Sequence, residues 1–172
     1  LQSFVPHEQG WANCIAWNGD GTRLFVGSYS ALKVIDVARA EIRGFDWPGG
    51  QVTATAWSAV GPRLVIAHET GAIRIVDPES LQVQKELKLS ADAATSIGWS
   101  HDGRWLAATS HGANPTVEVW DSQTWELKHS FRPGRQSDQL AWSPKLPLLA
   151  GTSYQGVTLW NVETGQAVEN TF

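Results

Sequence analysis

The sequence predicts an all-β protein built from four similar units, each with four antiparallel strands. The first observation is a short apolar strand that recurs at spacings of 41, 44 and 40 residues and closes with Ile35 and Asp36, Val76 and Asp77, Trp120 and Asp121, and Trp160 and Asn161. The second is an upstream series with nearly the same step, in which a leucine follows each tryptophan by seven residues: Trp17 and Leu24, Trp57 and Leu64, Trp99 and Leu106, Trp142 and Leu149. Two markers in phase indicate a repeat architecture.

Length and composition restrict the classes of protein to which the chain can belong. Its 172 residues, 42% hydrophobic and 17% charged, are typical of a globular protein and exclude disordered and collagen-like chains. The sequence lacks an apolar run of about 18 residues that could span a membrane, and "LQSFVPHEQG" does not resemble a signal peptide. A net charge of −4, with Lys and Arg scattered along the chain, argues against nucleic-acid and membrane partners. The single cysteine, Cys14, excludes an internal disulfide and favours a cytoplasmic location.

We label the four predicted strands of a unit a to d, from the innermost strand outward. Strand a ends at the marker tryptophan and carries Ile15, Thr55, Ile97 or Leu140 on one face, with small residues on the other. Because neither face is charged, we expect strand a to be buried on both sides. The turn into strand b is rich in Gly, Asp and Pro, as hairpin geometry requires.

Strands c and d complete each unit and predict its architecture. Strand c alternates apolar and polar residues, and strand d is the most polar, as in "VQKELKL", which suits an outer edge that must not pair with other chains. Four strands in about 40 residues is the spacing of a β-propeller blade. The turns interrupt any helical period and exclude an α-solenoid.

The third and fourth units carry a family resemblance. "VEVWD" and "VTLWN", preceded by "WSHDGRWLAATS" and "WSPKLPLLAGTS", resemble the WD-repeat family of β-propellers, and the resemblance covers essentially the whole chain. Blades of that family often share a hydrogen-bonded His, Ser or Thr, Asp and Trp. The Gly-His pair and the turn Asp are absent from every repeat here, so the repeats are degenerate and we expect apolar packing to stabilise them. The positions that match the Ser or Thr of this hydrogen-bonded set are Ser28, Ser110 and Ser153, and those that match its Trp are Trp120 and Trp160.

The phase of the repeat at the two ends predicts an incomplete ring. "LQSF" aligns with "KHSF" and "ENTF", which places Phe4, Phe131 and Phe172 at one strand d position. Residues 1–5 are therefore expected to form an outer strand of a preceding blade, and the four blades are expected at 12–46, 52–89, 94–132 and 137–172. We interpret the chain as part of a larger propeller of about seven blades, whose two apolar end faces require neighbouring blades or a homodimer.

No pattern of residues predicts catalysis, a cofactor or a metal site. Asp36, Asp77 and Asp121 recur in phase, which favours a role in turns, and GxSxG, P-loop and HExxH motifs are absent. His68 occupies the strand b position that is Ser in the other repeats, so we expect a hydrogen-bonded structural histidine. A metal site formed by His68, Glu69 and His111 is the weaker alternative, because no spacing motif supports it. Cys14, in an inner strand, is expected to be a small inert hydrophobe.

Residues that the repeat does not dictate are the candidates for binding. The loops that join d to a and b to c emerge on one rim, and the family resemblance implies that this rim holds partners. Exposed aromatic residues flanked by Arg and His are typical of interface anchors. The alternative for Trp11 and Trp47 is that they fold inward. The predicted rim site consists of Trp11, Tyr29, Trp47, Glu69, His111, Asn114, Arg135 and Tyr154.

The sequence therefore predicts a noncatalytic scaffold that presents propeller rim loops to a protein or peptide. Two alternatives stay open. One is a propeller that gates substrate, or a metal-dependent hydrolase of the lactonase type, which would need inward-pointing carboxylates and histidines that strand a scarcely supplies. The other is a sensory or regulatory tail of a larger kinase or NTPase chain.

Overall fold

A computed structural model describes residues 12–29, 31–46, 50–91, 93–133, 137–153 and 156–168, without the side chains of residues 46, 137 and 138. These residues form four antiparallel sheets of four strands each. The first contains β1 (Cys14–Trp17), β2 (Arg23–Gly27), β3 (Ala31–Asp36) and β4 (Glu41–Asp46). The second contains β5 (Val52–Trp57), β6 (Leu64–His68), β7 (Ala72–Val76) and β8 (Val83–Lys88). The third contains β9 (Ala94–Trp99), β10 (Trp105–Ser110), β11 (Val117–Asp121) and β12 (Leu127–Phe131). The fourth contains β13 (Ser137–Trp142), β14 (Leu148–Ser153), β15 (Gly156–Asn161) and β16 (Gln166–Ala167).

The sheets follow one another as the blades of a propeller, numbered here 1 to 4. Within each blade the strands pair in chain order. The inner strands of successive blades also lie in contact, β1 with β5, β5 with β9, and β9 with β13. The predicted fold class is therefore confirmed, and the ring is incomplete. Among the described residues, no helix has the length and apolarity needed to cross a bilayer.

The interface between blades 1 and 2 forms because side chains alternate between the two faces of a strand. Phe25, Leu32 and Val34 of blade 1 pack against Leu64 and Ile66 of blade 2 and are buried with them. The ring of Phe25 stacks on Trp57, with centroids 5.6 Å apart and 21° between the ring planes. The strand a tryptophan thus packs on the preceding blade.

The other two interfaces repeat this arrangement. Between blades 2 and 3 the core consists of Val65, Ala67, Ile73 and Ile75 against Ile97, Trp99, Leu106 and Trp120. Between blades 3 and 4 it consists of Trp105, Ala107, Val117 and Val119 against Leu149, Trp160 and Val162, with Leu140 and Trp142 packed alongside. Apolar packing between consecutive sheets is the main contact that joins the blades.

Hydrogen bonds add specific connections between blades. Trp142 Nε1 donates to the carbonyl oxygen of Gly98 at 3.0 Å, which joins strand a of blade 4 to strand a of blade 3. Arg63 Nη1 of blade 2 donates to the carbonyl oxygen of Ser122 of blade 3 at 3.3 Å. Arg23 of blade 1 forms an ion pair with Glu79 of blade 2. These contacts fix how each blade sits against the next.

The recurring aspartates act in turns, as predicted. Asp77 Oδ1 accepts hydrogen bonds from the backbone N–H groups of Glu79 at 3.0 Å and Ser80 at 2.8 Å. Asp36 Oδ1 accepts the backbone N–H of Arg39 at 2.9 Å, and Asp121 makes both corresponding contacts. Asn161 does the same in blade 4. The residue four positions after each of these has a positive φ of 55° to 73°: Ala40, Leu81, Trp125 and Gly165.

The prediction that every strand a is buried on both sides is wrong at both end blades: Ala141 of blade 4 is exposed, and the difference is largest in blade 1. Ile15 is 62% exposed and Trp17 is 50% exposed, whereas Ile97 and Trp99, at the corresponding positions of blade 3, are each 8% exposed. The cause is the position of the blade, since these side chains face away from blade 2 toward the side on which a preceding blade would lie. Strand d is mostly exposed in β8 and β12, as expected for an outer edge.

The expected domain boundaries stay a prediction. Phe131 lies in β12 and stacks on Trp160 at 5.3 Å, so this residue takes part in the interface between blades 3 and 4. Phe4 and Phe172, and with them the predicted outer strand at residues 1–5, lie outside the described residues.

Candidate functional site

Four of the eight predicted rim residues lie within the described part of the chain. Tyr29, Glu69, His111 and Asn114 are all exposed, and all four lie in connections from strand b to strand c. The other four predicted residues lie outside the described residues: Trp11, Trp47, Arg135 and Tyr154.

The connection between β10 and β11 in blade 3 differs in length from its counterparts. It spans residues 111–116, whereas residues 28–30 and 69–71 make the same connection in blades 1 and 2. The extra residues belong to the segment "HGANPT", in which His111 and Asn114 are exposed and Gly112 has a φ of 138°. We call residues 111–116 the blade 3 loop.

Buried polar groups anchor the base of the blade 3 loop. Ser110 Oγ accepts a hydrogen bond from the backbone N–H of Thr116 at 2.9 Å, and Thr116 Oγ1 donates to Glu118 Oε1 at 3.1 Å. The same carboxylate oxygen accepts the backbone N–H of Ser90 at 3.0 Å. Glu118 is only 1% exposed, so these bonds supply the polar partners that a buried carboxylate requires. The loop is therefore held firmly at its base.

An open notch lies between the blade 3 loop and the linker that leads from blade 2 to blade 3. The backbone N–H of His111 donates to the carbonyl oxygen of Ala93 at 2.8 Å, which joins the loop to this linker. The described residues that line the notch are Ser90, Ala91, His111, Gly112, Ala113, Asn114, Thr116 and Arg132. They supply hydrogen-bond donors and one positive charge, and none of these lining residues is acidic. This composition suits a partner that presents hydrogen-bond acceptors.

The other two described rim residues have different surroundings. Glu69 Oε1 accepts a hydrogen bond from the backbone N–H of Gln51 at 3.2 Å, so this carboxylate lies against the linker between blades 1 and 2. Tyr29 is 66% exposed in the connection between β2 and β3. Large exposed aromatic side chains of this kind are enriched in binding interfaces.

His68 has the environment of a structural histidine. It is fully buried in β6. Burial lowers the pKa of His68 and the positive charge of Arg74 lowers it further, while a hydrogen bond with the backbone of Gly50 opposes both effects. The imidazole is therefore favoured in its neutral form.

The metal site considered for His68, Glu69 and His111 does not form. Within the described part of the chain, no three His, Cys, Asp or Glu side chains are grouped closely enough to hold a metal ion. The physical reason is that His68 is buried within blade 2, Glu69 is exposed at its edge and His111 belongs to blade 3.

Cys14 is a half-buried thiol in β1. Burial raises the pKa of Cys14 to about 11, although a hydrogen bond with the backbone of Gly27 partly opposes this shift. At neutral pH the side chain therefore stays a thiol. This supports the prediction of an unreactive cysteine, because the thiolate is the nucleophilic form.

Sequence reasoning missed two apolar residues on the opposite rim, where the connections from strand a to strand b lie. Val60 and Leu146 are each more than half exposed. In blades 1 and 3 the corresponding turns contain Asp20 and Asp102, whose carboxylates accept hydrogen bonds within the turn. In blade 2 Val60 replaces this aspartate, and in blade 4 Leu146 replaces the glycine that follows it in the other three turns, so these two departures from the repeat were the signal that could have identified both positions.

Comparison with known proteins identifies two families. The family described as WD domain, G-beta repeat matches residues 1–36, and the anaphase-promoting complex subunit 4 WD40 domain matches residues 43–102. Together these matches lie in the first three blades.

Two curated relatives and one solved structure extend the comparison. The U3 small nucleolar RNA-associated protein 21 homolog of Schizosaccharomyces pombe is 28% identical over 65% of this chain and 12% of its own length. The eukaryotic translation initiation factor 3 subunit I of Dictyostelium discoideum is 25% identical over 82% of this chain and 45% of its own length. The structure of Kuenenia stuttgartiensis hydrazine synthase superimposes with a TM-score of 0.84 at 20% identity, over 98% of this chain and 51% of that chain.

These proportions show that the chain spans about half, or less, of the proteins that it matches. At 20% identity, the likeness to hydrazine synthase concerns the fold alone. The family matches, the relatives and the four stacked sheets agree with the repeat pattern read from the sequence. The chain belongs to the WD-repeat family of β-propellers.

Proposed function

We propose that this chain is a noncatalytic interaction scaffold that binds a protein or peptide through the rim formed by its strand b to strand c connections. The blade 3 loop is the main contact. The observation that carries this proposal is that the loop is longer than its counterparts in blades 1 and 2, exposed at its tip and hydrogen-bonded at its base. A rigid base under an exposed tip lowers the entropy that is lost when a partner binds.

The name of one of the two relatives agrees with a protein partner, and the name of the other refers to an RNA. One is named as a subunit of a translation initiation factor and the other as a protein associated with U3 small nucleolar RNA. We favour a protein partner over a nucleic acid because the chain carries a net charge of −4 and no clustered basic patch. The same composition and the single cysteine favour the cytoplasm as its location.

The alternative functions have less support. A hydrolase would require a group of convergent acid, base or metal-binding side chains, and the described residues contain no group of potential metal ligands. A regulatory tail of a larger enzyme is compatible with the scaffold proposal, since it would use the same rim.

A site-specific photo-crosslinker tests the rim directly. Asn114 is replaced by p-benzoyl-phenylalanine, and the control carries the same group at Val83, an exposed position on the outer strand β8. We expect a partner to cross-link at position 114 and not at position 83, and unlabelled protein to compete for that partner. The purified partner should bind a His111→Ala, Asn114→Ala variant at least about tenfold more weakly, as the loss of interface anchors predicts.

Two results would count against the rim. One is equal cross-linking from both positions, and the other is unchanged affinity of the double variant for the purified partner. Neither substitution removes the hydrogen bonds that anchor the loop, since those involve Ser110, Thr116 and Glu118 and the backbone N–H of His111.

A further inference from the structure

The turn between β1 and β2 contains a chemically labile pair of residues. Asn18 and Gly19 form the single Asn-Gly pair in the sequence. A glycine that follows an asparagine has no Cβ to shield its backbone nitrogen, so this nitrogen can approach the asparagine carboxamide. Gly19 is exposed to solvent, and its backbone N–H donates no hydrogen bond to any described residue. The nitrogen is therefore accessible as a nucleophile.

The other described asparagines are followed by residues that disfavour this reaction. Asn114 precedes a proline, whose backbone nitrogen carries no hydrogen. Asn161 precedes a fully buried valine, which is branched at Cβ. Asn13 precedes a cysteine that begins strand β1. We therefore expect the reaction at Asn18 before any of these three positions.

The carboxamide of Asn18 is hydrogen-bonded at both ends to the far side of the turn. Its Oδ1 accepts the backbone N–H of Arg23 at 2.9 Å, and its Nδ2 donates to Thr22 Oγ1 at 3.1 Å. Attack by Gly19 requires the carboxamide carbon and the attacking nitrogen to come within about 3–3.5 Å in the correct orientation. A carboxamide that is bonded at both ends has little freedom to turn into that geometry.

The hydroxyl that accepts the Asn18 carboxamide is itself fixed. Thr22 Oγ1 donates to Asp20 Oδ1 at 2.6 Å, and the backbone N–H of Thr22 donates to the same oxygen at 2.9 Å. These hydrogen bonds hold the pKa of Asp20 below its ordinary value, so its carboxylate is ionised at neutral pH and stays an acceptor. A hydroxyl has a single hydrogen. Because that hydrogen is directed to Asp20, the oxygen of Thr22 faces the carboxamide as an acceptor.

We propose that Asn18 is a site of spontaneous deamidation and that the hydroxyl of Thr22 limits its rate. The backbone nitrogen of Gly19 forms a bond to the carboxamide carbon of Asn18, and the bond from that carbon to Nδ2 breaks. The proton that the Gly19 nitrogen loses leaves with Nδ2 as ammonia. Water then opens the cyclic imide at either of its carbonyl carbons, which gives aspartate or isoaspartate at position 18. The net reaction exchanges ammonia for water.

The modified turn lies at the junction of blades 1 and 2. A Cβ atom placed on Gly19 would lie 3.3 Å from Trp57 Nε1, so the backbone of the turn packs against the indole of blade 2. Arg23, at the end of the turn, forms an ion pair with Glu79 of blade 2. Isoaspartate inserts the Cβ atom of residue 18 into the backbone and would displace both contacts. The proposal is independent of the rim function, because this turn lies on the opposite rim from the blade 3 loop.

Peptide mass spectrometry of the 172-residue chain during incubation at neutral pH tests the proposal. Asn18 should convert to a product with the mass of aspartate, and fragmentation should identify isoaspartate within that product. Thr22→Val removes the hydroxyl but keeps the shape of the side chain. It should accelerate the conversion about fivefold, which corresponds to the loss of a hydrogen bond of about 1 kcal/mol. Thr22→Ser keeps the hydroxyl and is the matched control, so its rate should equal that of the unmodified chain.

A synthetic peptide with the sequence of residues 15–23 keeps the test decisive even if Thr22→Val is unstable. The peptide lacks the folded turn and its hydrogen bonds, so its asparagine should convert at least about fivefold faster than Asn18 of the folded chain.

Four results would overturn the proposal. The first is the absence of conversion at Asn18 of the folded chain over a period that converts the peptide completely. The second is an equal rate in the folded chain and in the peptide. The third is an unchanged rate in a folded Thr22→Val variant, and the fourth is faster conversion at another asparagine.

Discussion

The side-chain oxygen of a single residue organises each turn from strand c to strand d. In blade 3, Asp121 Oδ1 accepts the backbone N–H groups of Gln123 at 2.8 Å and Thr124 at 3.2 Å. In blade 4, Asn161 Oδ1 accepts the corresponding groups of Glu163 and Thr164 at 3.0 and 3.1 Å. An amide and a carboxylate therefore make the same contacts. The turn requires an oxygen acceptor, and a negative charge is not essential.

Substitution of Asp121 separates the acceptor from the charge. Asp121→Ala should lower the free energy of unfolding by about 1 kcal/mol, because two hydrogen bonds at the surface are lost. Asp121→Asn should retain most of that stability at pH 7. Urea denaturation of both variants measures the difference, and an Asn variant as unstable as the Ala variant would show that the charge itself matters.

The same pair of variants gives a dependence on pH. Hydrogen bonds from the backbone N–H groups of Gln123 and Thr124 hold the pKa of Asp121 below its ordinary value of 3.8. A lowered pKa in the folded state adds stability above the unfolded value, and this contribution is lost as the pH falls through the folded value. The unmodified chain should therefore lose stability relative to Asp121→Asn below about pH 4.

At the scale of elements, Glu118 couples strand β11 to its surroundings. Its carboxylate accepts hydrogen bonds from the linker at Ser90 and from Thr116 at the end of the blade 3 loop. One buried side chain thus joins a strand, a linker and a loop. Removal of its oxygens should disturb all three elements together.

We expect Glu118→Ala to lower the free energy of unfolding by about 2 kcal/mol, because the buried hydroxyl of Thr116 and the backbone N–H of Ser90 both lose their acceptor. Glu118→Gln keeps an oxygen acceptor of nearly the same shape and should cost less than half as much. Chemical denaturation provides the comparison, and hydrogen exchange at Ser90 reports on the linker. Equal losses in the two variants would indicate that the carboxylate charge, and not the acceptor, stabilises this junction.

The elements also show what the sequence could and could not predict. The strands were predictable because the tryptophan and leucine markers repeat in phase, and the turn role of Asp36, Asp77 and Asp121 followed from the same repeat. The exposure of Ile15 and Trp17 was not predictable from β1, because burial depends on whether another blade covers that face. The exposure of His111 and Asn114 was predictable because they fall outside the repeat, whereas Val60 and Leu146 lie inside it and were overlooked.

At the scale of the whole molecule, the blades form an arc in which each sheet contacts only its neighbours. Blades 2 and 3 are packed on both faces, and every residue of β6 and β10 is buried. β1 and β13 belong to the end blades and contain exposed residues. Local stability in such arrays follows the contacts of each repeat, so the four blades should differ.

Hydrogen exchange on the unmodified chain measures this difference. The backbone amides of β6 and β10 should exchange slowest and those of β1 and β16 fastest, since opening an end blade breaks one interface and opening an interior blade breaks two. Uniform protection across all four blades would show that the arc unfolds as a single cooperative unit.

The anchoring of the blade 3 loop has a practical consequence for protein engineering. Ser110 and Thr116 hold the two ends of residues 111–115 through hydrogen bonds that do not involve the residues between them. Lengthening a surface loop adds only a small entropic cost, which grows with the logarithm of its length. A foreign peptide grafted in place of these residues would therefore be displayed on a fixed support, and this position is the natural starting point for a library of affinity reagents built on the arc.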